Sequence, residues 1–186
     1  GIQFVLNLSD SKKSLEKYFV KNKVTQSYYY KELYDQGRVY TAHLSVEHKG
    51  SSYREKVTLC VRCMAYYGGP YLVHCEIGRD RTGFLILLLE SLMGAPYTDI
   101  LDDYARTYTD RYCYSYKDAQ KKARDHVGRE FNYITGKSKK TDWSKIDLAM
   151  YAERYLRKGG MTENEITALR RNLSITYLNS NAGTAK

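Results

Sequence analysis

A chain of 186 residues with 42% hydrophobic content has the length and apolar material for one compact core, so one domain spanning 1–186 is expected. Its longest apolar run, Phe84 to Leu89, falls far short of the roughly 18 residues of a helical membrane span, and its four cysteines lack the density of a secreted disulfide scaffold. The formal charge of +9 favours anionic ligands.

The chain opens on Gly1-Ile2-Gln3 with no Met and no basic-then-apolar leader, so a preceding N-terminal segment is expected. Cysteine usage then favours a cytoplasmic location, with secretion left open by that segment. Ile2 to Leu8 is an apolar run of strand type, closed by Ser9-Asp10-Ser11, which can cap a helix from about Lys12 to Val20. Ser27 to Gln36 ends at Gly37 as a helix does, and Val39 to Leu44 alternates like a strand. From Ser52, Val57, Val61 and Met64 recur at helical spacing until Gly68-Gly69-Pro70. Cys60 and Cys63 lie inside that pattern with no second ligand pair, so they read as packing residues and no metal is expected.

Tyr71 to His74 reads as a strand that runs through a Gly-containing loop into an apolar helix from Arg81 to Met93. Downstream the pattern is helical: Asp99 to Tyr108, Tyr116 to Val127, Trp143 to Lys158, and Glu163 to Leu173 behind a Thr162 cap with Glu165 three residues on. Strands come first and helices dominate later. An α/β fold follows, with a central sheet flanked by helices and a helical C-terminal half. Lys137 to Lys140 reads as a solvated loop, and Cys113 as a plain buried thiol. The twenty tyrosines are scattered and read as amphipathic packing residues.

The loop His74-Cys75-Glu76-Ile77-Gly78-Arg79-Asp80-Arg81-Thr82-Gly83 carries the chemistry. A cysteine and an arginine six positions apart, between a strand and a helix, can bracket a tetrahedral anion with the amides of Glu76 through Arg81 turned inward. The helix N-terminus and the arginine fork add favourable potential for phosphate. That field also stabilises a thiolate, and cysteines so placed have pKa values lowered to about 3.5–7.5, so Cys75 is expected to ionise at neutral pH. Gly78 admits backbone angles closed to other residues. Thr82 can donate to the sulfur, and His74 can hold the loop by hydrogen bonds. The reaction class is covalent phosphoryl transfer: thiolate attack, a phosphocysteine, then attack by water.

HCEIGRDRTG resembles the HCxxGxxRT signature of the cysteine-dependent protein tyrosine and dual-specificity phosphatase superfamily. Its Asp-Arg-Thr-Gly ending is most similar to the bacterial tyrosine phosphatase branch whose loop reads HCxAGKDRTG. Asp99 to Tyr104 resembles the Asp-Tyr helix of that branch, and Tyr155 to Leu173 its closing helices. The resemblance implies a tyrosine-phosphatase-like fold and a phosphorylated substrate, protein phosphotyrosine first and a phosphoinositide or inositol phosphate second, with inorganic phosphate as a ligand of the loop. It implies no cofactor. Three departures stand out: Arg79 in place of Lys, Ile77 in place of Ala, and Asn7-Leu8-Ser9 where many members carry Asp-Leu-Arg. The branch also begins with several dozen residues not found before Gly1.

The resemblance implies Asp80 as proton donor, although an aspartate at a helix start also serves as a dipole partner. Asp10, at the end of the first strand, is the second choice, with helix capping as its plainer role. Lys117 to Lys140 holds eight basic residues against three acidic ones, which suits either a solvated helix face or a polyanion surface. No nucleic-acid motif accompanies it, and no nucleic-acid partner is expected. A non-catalytic phosphate-binding module is the alternative of another class.

Overall fold

The computed structural model describes residues 1–21, 27–47 and 50–174. Phe4, Val5, Leu6 and Asn7 form β1 (Phe4–Asn7) and are all buried. An apolar run of this kind suits the centre of a parallel sheet covered on both faces. β1 takes that place, with β2 (Val39–Thr41) on one side and β3 (Tyr71–His74) on the other, all parallel, in the order β2-β1-β3. The register sets Asn7 opposite both Thr41 and His74, so three strand ends share one edge.

The strand expected over Val39 to Leu44 stops at Thr41. His43 adopts a left-handed φ of 47°, which ends the regular ladder, although Ala42 and Leu44 still donate to the carbonyls of Asn7 and Leu8. Between the strands run α1 (Lys12–Lys21), α2 (Tyr28–Asp35) and α3 (Gly50–Tyr67). Ser27 caps α2 by accepting from the Tyr30 N–H. α1 starts on Ser11, whose hydroxyl accepts from the Ser14 N–H, so Asp10 is not its cap.

Beyond β3 come α4 (Asp80–Leu92), α5 (Tyr97–Tyr112), α6 (Tyr116–Thr135), α7 (Leu148–Lys158) and α8 (Glu163–Leu173). Both α5 and α6 outrun their expected ends, because each continues to a left-handed cap, at Cys113 and Gly136. The single helix expected over Trp143 to Lys158 is broken. Trp143–Lys145 makes one 3-10 turn, Ile146 is extended, and the Asp147 carboxylate then accepts from the Met150 N–H to start α7. Among the described residues no helix is long and apolar enough to cross a membrane.

The chain divides into two compact units, one from the described residues of 1–77 and 159–186, the other from Gly78–Lys158. In the first, α3 packs on β1 and on α8. Val57, Cys60, Val61 and Met64 form its buried stripe, and Ile166 and Leu169 are buried on α8. Asn172 anchors α8 by donating to the carbonyls of Met64 and Ala65. In the second, α4 packs on α5 and α7, and α5 on α6. Its core gathers Leu87, Ile100, Leu101, Phe131 and Trp143. Phe84 meets Tyr133 and Tyr155 edge-on, with centroids 5.9 Å apart in each pair. Tyr104, Tyr108 and Tyr155 are buried packing residues as expected, whereas Tyr28 and Tyr66 stand in solvent.

Candidate active site

In the first unit, the edge where β1 and β3 end carries Asn7, Asp10, His74 and Cys75. Asn7 is 1% exposed and fully hydrogen-bonded. Its Oδ1 accepts from the backbone N–H of Ser9 (3.2 Å) and of Asp10 (3.0 Å), and its Nδ2 donates to Asp10 Oδ2 (2.9 Å) and to the Tyr30 hydroxyl (3.2 Å). The tight turn after β1 is therefore tied by a side chain, as an Asx turn is. Tyr30 reaches on to His74 Nε2 at 3.0 Å and packs edge-on against its ring, while His74 Nδ1 lies 3.4 Å from the Cys75 carbonyl oxygen. The Tyr30 phenol is pushed up by burial, against the hydrogen bond from Asn7.

Cys75 follows β3 directly, half-buried, and bends continue from Glu76 through Arg79. Glu76 and Ile77 are exposed. No cysteine is in a disulfide. Cys60, which shares α3 with Cys63, has its thiol pushed up to about 12 by burial, consistent with a packing role. Cys113 corrects the expectation of a buried thiol: it is exposed, because it is the left-handed residue that ends α5 at the surface.

In the second unit, Gly78 has φ +80°, and a Cβ there would meet nothing within 4 Å, so backbone angle rather than space calls for glycine. Arg79 precedes α4 without a side-chain cap bond. Its guanidinium instead grips Asp80 with two bonds, Nε to Oδ1 at 2.9 Å and Nη2 to Oδ2 at 3.0 Å, and donates from Nη1 to the Tyr112 hydroxyl at 3.3 Å. The Asp80 bond pushes the Arg79 guanidinium still further up. Asp80 sits in the first turn of α4, where its charge complements the helix N-terminus. Arg81 is buried, 7% exposed, and Thr82 Oγ1 is buried with no hydrogen-bond partner among the described residues.

His126 of α6 approaches Asp80 Oδ1 at 3.9 Å and lies between Tyr104 and Tyr108. Burial, with Arg129 beside it, lowers His126 to about 4, so at neutral pH the contact is not an ion pair. Beside it opens a cleft of about 500 Å³ whose charged lining is mixed, Lys121, Lys122 and Arg129 against Asp118 and Asp125, with Tyr114 and His126. Lys122 stands over the Tyr114 ring at 5.6 Å. Gly78 and Thr82 also line a cavity of about 320 Å³ with Glu90, Asp103, Tyr104 and Arg106. There burial, with Asp103 and Asp99 nearby, pushes Glu90 up to about 8. No cluster of metal-binding side chains occurs among the described residues.

Tyr30, Tyr112, His126 and Glu90 were invisible as site residues in the sequence. Tyr30 stands 44 positions before His74 and 23 after Asn7, so no local motif joins the three.

Among the described residues a three-stranded parallel sheet with helices before and after its last strand is consistent with a phosphatase-like fold. Comparison with protein families matches residues 7–175 to the tyrosine phosphatase family, and the chain belongs to it. No curated protein and no solved structure matches the chain. The chain is a phosphatase of the cysteine-dependent tyrosine phosphatase superfamily.

Proposed function

We propose that the chain hydrolyses phosphate monoesters through a phosphocysteine on Cys75, with protein phosphotyrosine as substrate, and that 1–186 acts as a single phosphatase domain. The observation that carries the reading is one continuous connection: β3 ends at His74, Cys75 follows at once, and Arg81 lies in the first turn of α4. The family match runs through residues of both compact units.

In the first step the Cys75 sulfur forms a bond to phosphorus as the phosphorus–oxygen ester bond breaks, and the leaving phenolate takes a proton from Asp80. In the second, water attacks phosphorus, the sulfur–phosphorus bond breaks, and the water proton passes to the Asp80 carboxylate. Arg81 and the amides from Glu76 through Arg81 stabilise the phosphoryl oxygens. The Thr82 hydroxyl donates to the departing sulfur, and His74 holds the loop. Arg79 bears on proton donation. Its fork holds both carboxylate oxygens of Asp80, so it sets where the proposed donor points.

Phosphate release from a phosphotyrosine peptide tests the reading. Cys75→Ser should abolish it, Arg81→Ala should lower kcat by about a hundredfold or more, and rapid quenching should trap phosphate on Cys75. Asp80→Asn should slow the peptide far more than an activated aryl phosphate whose leaving group needs no proton. If Asp10→Asn shows that contrast and Asp80→Asn does not, Asp10 is the donor.

The overall basic balance, with Arg79 inside the loop and Lys121, Lys122 and Arg129 in the cleft beside His126, favours a second reading in which a phosphoinositide or inositol phosphate is the substrate. Faster turnover of inositol phosphates than of the peptide would select it. Binding of phosphorylated ligands with no turnover, even of the activated aryl phosphate, would mark a non-catalytic phosphate-binding module.

A further inference from the structure

The hydrogen bonds around Asn7 fix the orientation of its amide and limit where the protons beyond it can lie. The backbone N–H groups of Ser9 and Asp10 can only donate, so the Asn7 atom they face at 3.2 and 3.0 Å is its carbonyl oxygen. The amide nitrogen must then face the other way. It spends one proton on Asp10 Oδ2 at 2.9 Å and the other on the Tyr30 oxygen at 3.2 Å. Tyr30 therefore accepts from Asn7 and has a single proton to give. Among the described residues its other partner is His74 Nε2 at 3.0 Å, a pair in which either atom can be the donor. An Nε2 that accepts carries no hydrogen, and the ring proton belongs on Nδ1. Nδ1 lies 3.4 Å from the Cys75 carbonyl, which can only accept, so this long contact favours the tautomer that leaves Nε2 to accept from Tyr30.

We infer that Asn7 and Tyr30 are positioning residues that hold His74 as its Nδ1–H tautomer and, through it, orient the peptide between Cys75 and Glu76. A trans peptide points its N–H opposite to its carbonyl. Holding the Cys75 carbonyl on the His74 side turns the Glu76 N–H away from it, and in the proposed reaction that amide serves the phosphoryl oxygens. The inference rests on that reading of Cys75 for its catalytic meaning, though not for the tautomer itself. Asn7 is suited to this task where an aspartate is not. A carboxylate at position 7 would face Asp10 Oδ2 at 2.9 Å and would accept from Tyr30 rather than donate to it. Tyr30 would then be left to accept from His74, and the ring proton would move to Nε2.

The chain labelled with nitrogen-15 at histidine, examined at neutral pH by long-range proton–nitrogen correlation, tests this directly. His74 is expected to show a pyridine-type Nε2 and a pyrrole-type Nδ1. Tyr30→Phe, which removes one hydroxyl and leaves only the long Nδ1 contact to the Cys75 carbonyl, should weaken that bias and lower kcat on the phosphotyrosine peptide about tenfold with little change in KM. The exchange N7D with D10N should reverse the two nitrogen types. A protonated Nε2 in the unaltered chain, or an unchanged His74 signature in Tyr30→Phe, overturns the inference. Should the exchange variant not fold, those two spectra still decide. The spectra are read whether or not phosphate is released. An inactive chain with the expected tautomer would sink catalysis at Cys75 and leave the relay standing, and an active chain with the opposite tautomer would do the reverse.

Discussion

His126 and Glu90 show how burial in the second unit moves protons in opposite senses. Desolvation penalises the charged form of each, which lowers the histidine to about 4 and raises the carboxylic acid to about 8. For His126 the folded value lies below the ordinary 6.5, so the unfolded chain takes up the proton first. The stability this contributes is present above about 6.5 and is lost as pH falls toward 4. Urea unfolding at pH 7 and pH 4.5 should show a steeper loss in the natural chain than in His126→Gln. For Glu90 the sign reverses. The unfolded chain releases its proton first, so stability falls as pH rises from about 4.5 to 8. Glu90→Gln should therefore raise the Tm at pH 8 and leave it nearly unchanged at pH 4. Neither shift was legible in the sequence, because each depends on neighbours from other helices. Cys75, Gly78, Arg81 and Thr82, the residues of the proposed site, are picked out by the motif alone, because they stand close to one another along the chain.

At the scale of elements, local signals succeeded where a helix end is closed by residues near it in sequence. Thr162 and Glu165 form the capping box expected of them, each side chain bonding the other's backbone N–H. Thr162→Ala should cost about 1 kcal/mol, read as a lower urea midpoint with an unchanged slope. Signals failed where a short cap interrupts an apolar pattern, as Asp147 does between Trp143 and Leu148. Helix contact is the other element-scale constraint. A Cβ on Gly83 of α4 would come within 2.6 Å of the Tyr104 ring of α5, so Gly83→Val should destabilise the second unit by about 2 kcal/mol or more, measured by thermal unfolding. The sequence showed a glycine in the motif, while the ring it accommodates lies two helix turns into another element.

For the molecule as a whole, the charge of +9, with Lys121, Lys122 and Arg129 outnumbering Asp118 and Asp125 in one cleft, should make capture of anionic substrates sensitive to salt. Raising ionic strength from about 0.02 to 0.2 M should lower kcat/KM several-fold for a multiply phosphorylated substrate and less for a singly charged aryl phosphate. A steady-state salt series on the two substrates checks this, and parallel falls would remove the cleft from substrate capture. The strand-first, helix-later order, the strand–loop–helix around Cys75 and the membership of a phosphatase family all follow from patterns local in the chain, because propensity, periodicity and a contiguous motif act over a few residues at a time. The Asn7–Tyr30–His74 relay, the grip of Arg79 on Asp80 beside His126, and the burial of Glu90 do not. They join residues tens of positions apart, and their geometry and protonation come from packing and desolvation, which exist only once the chain has folded.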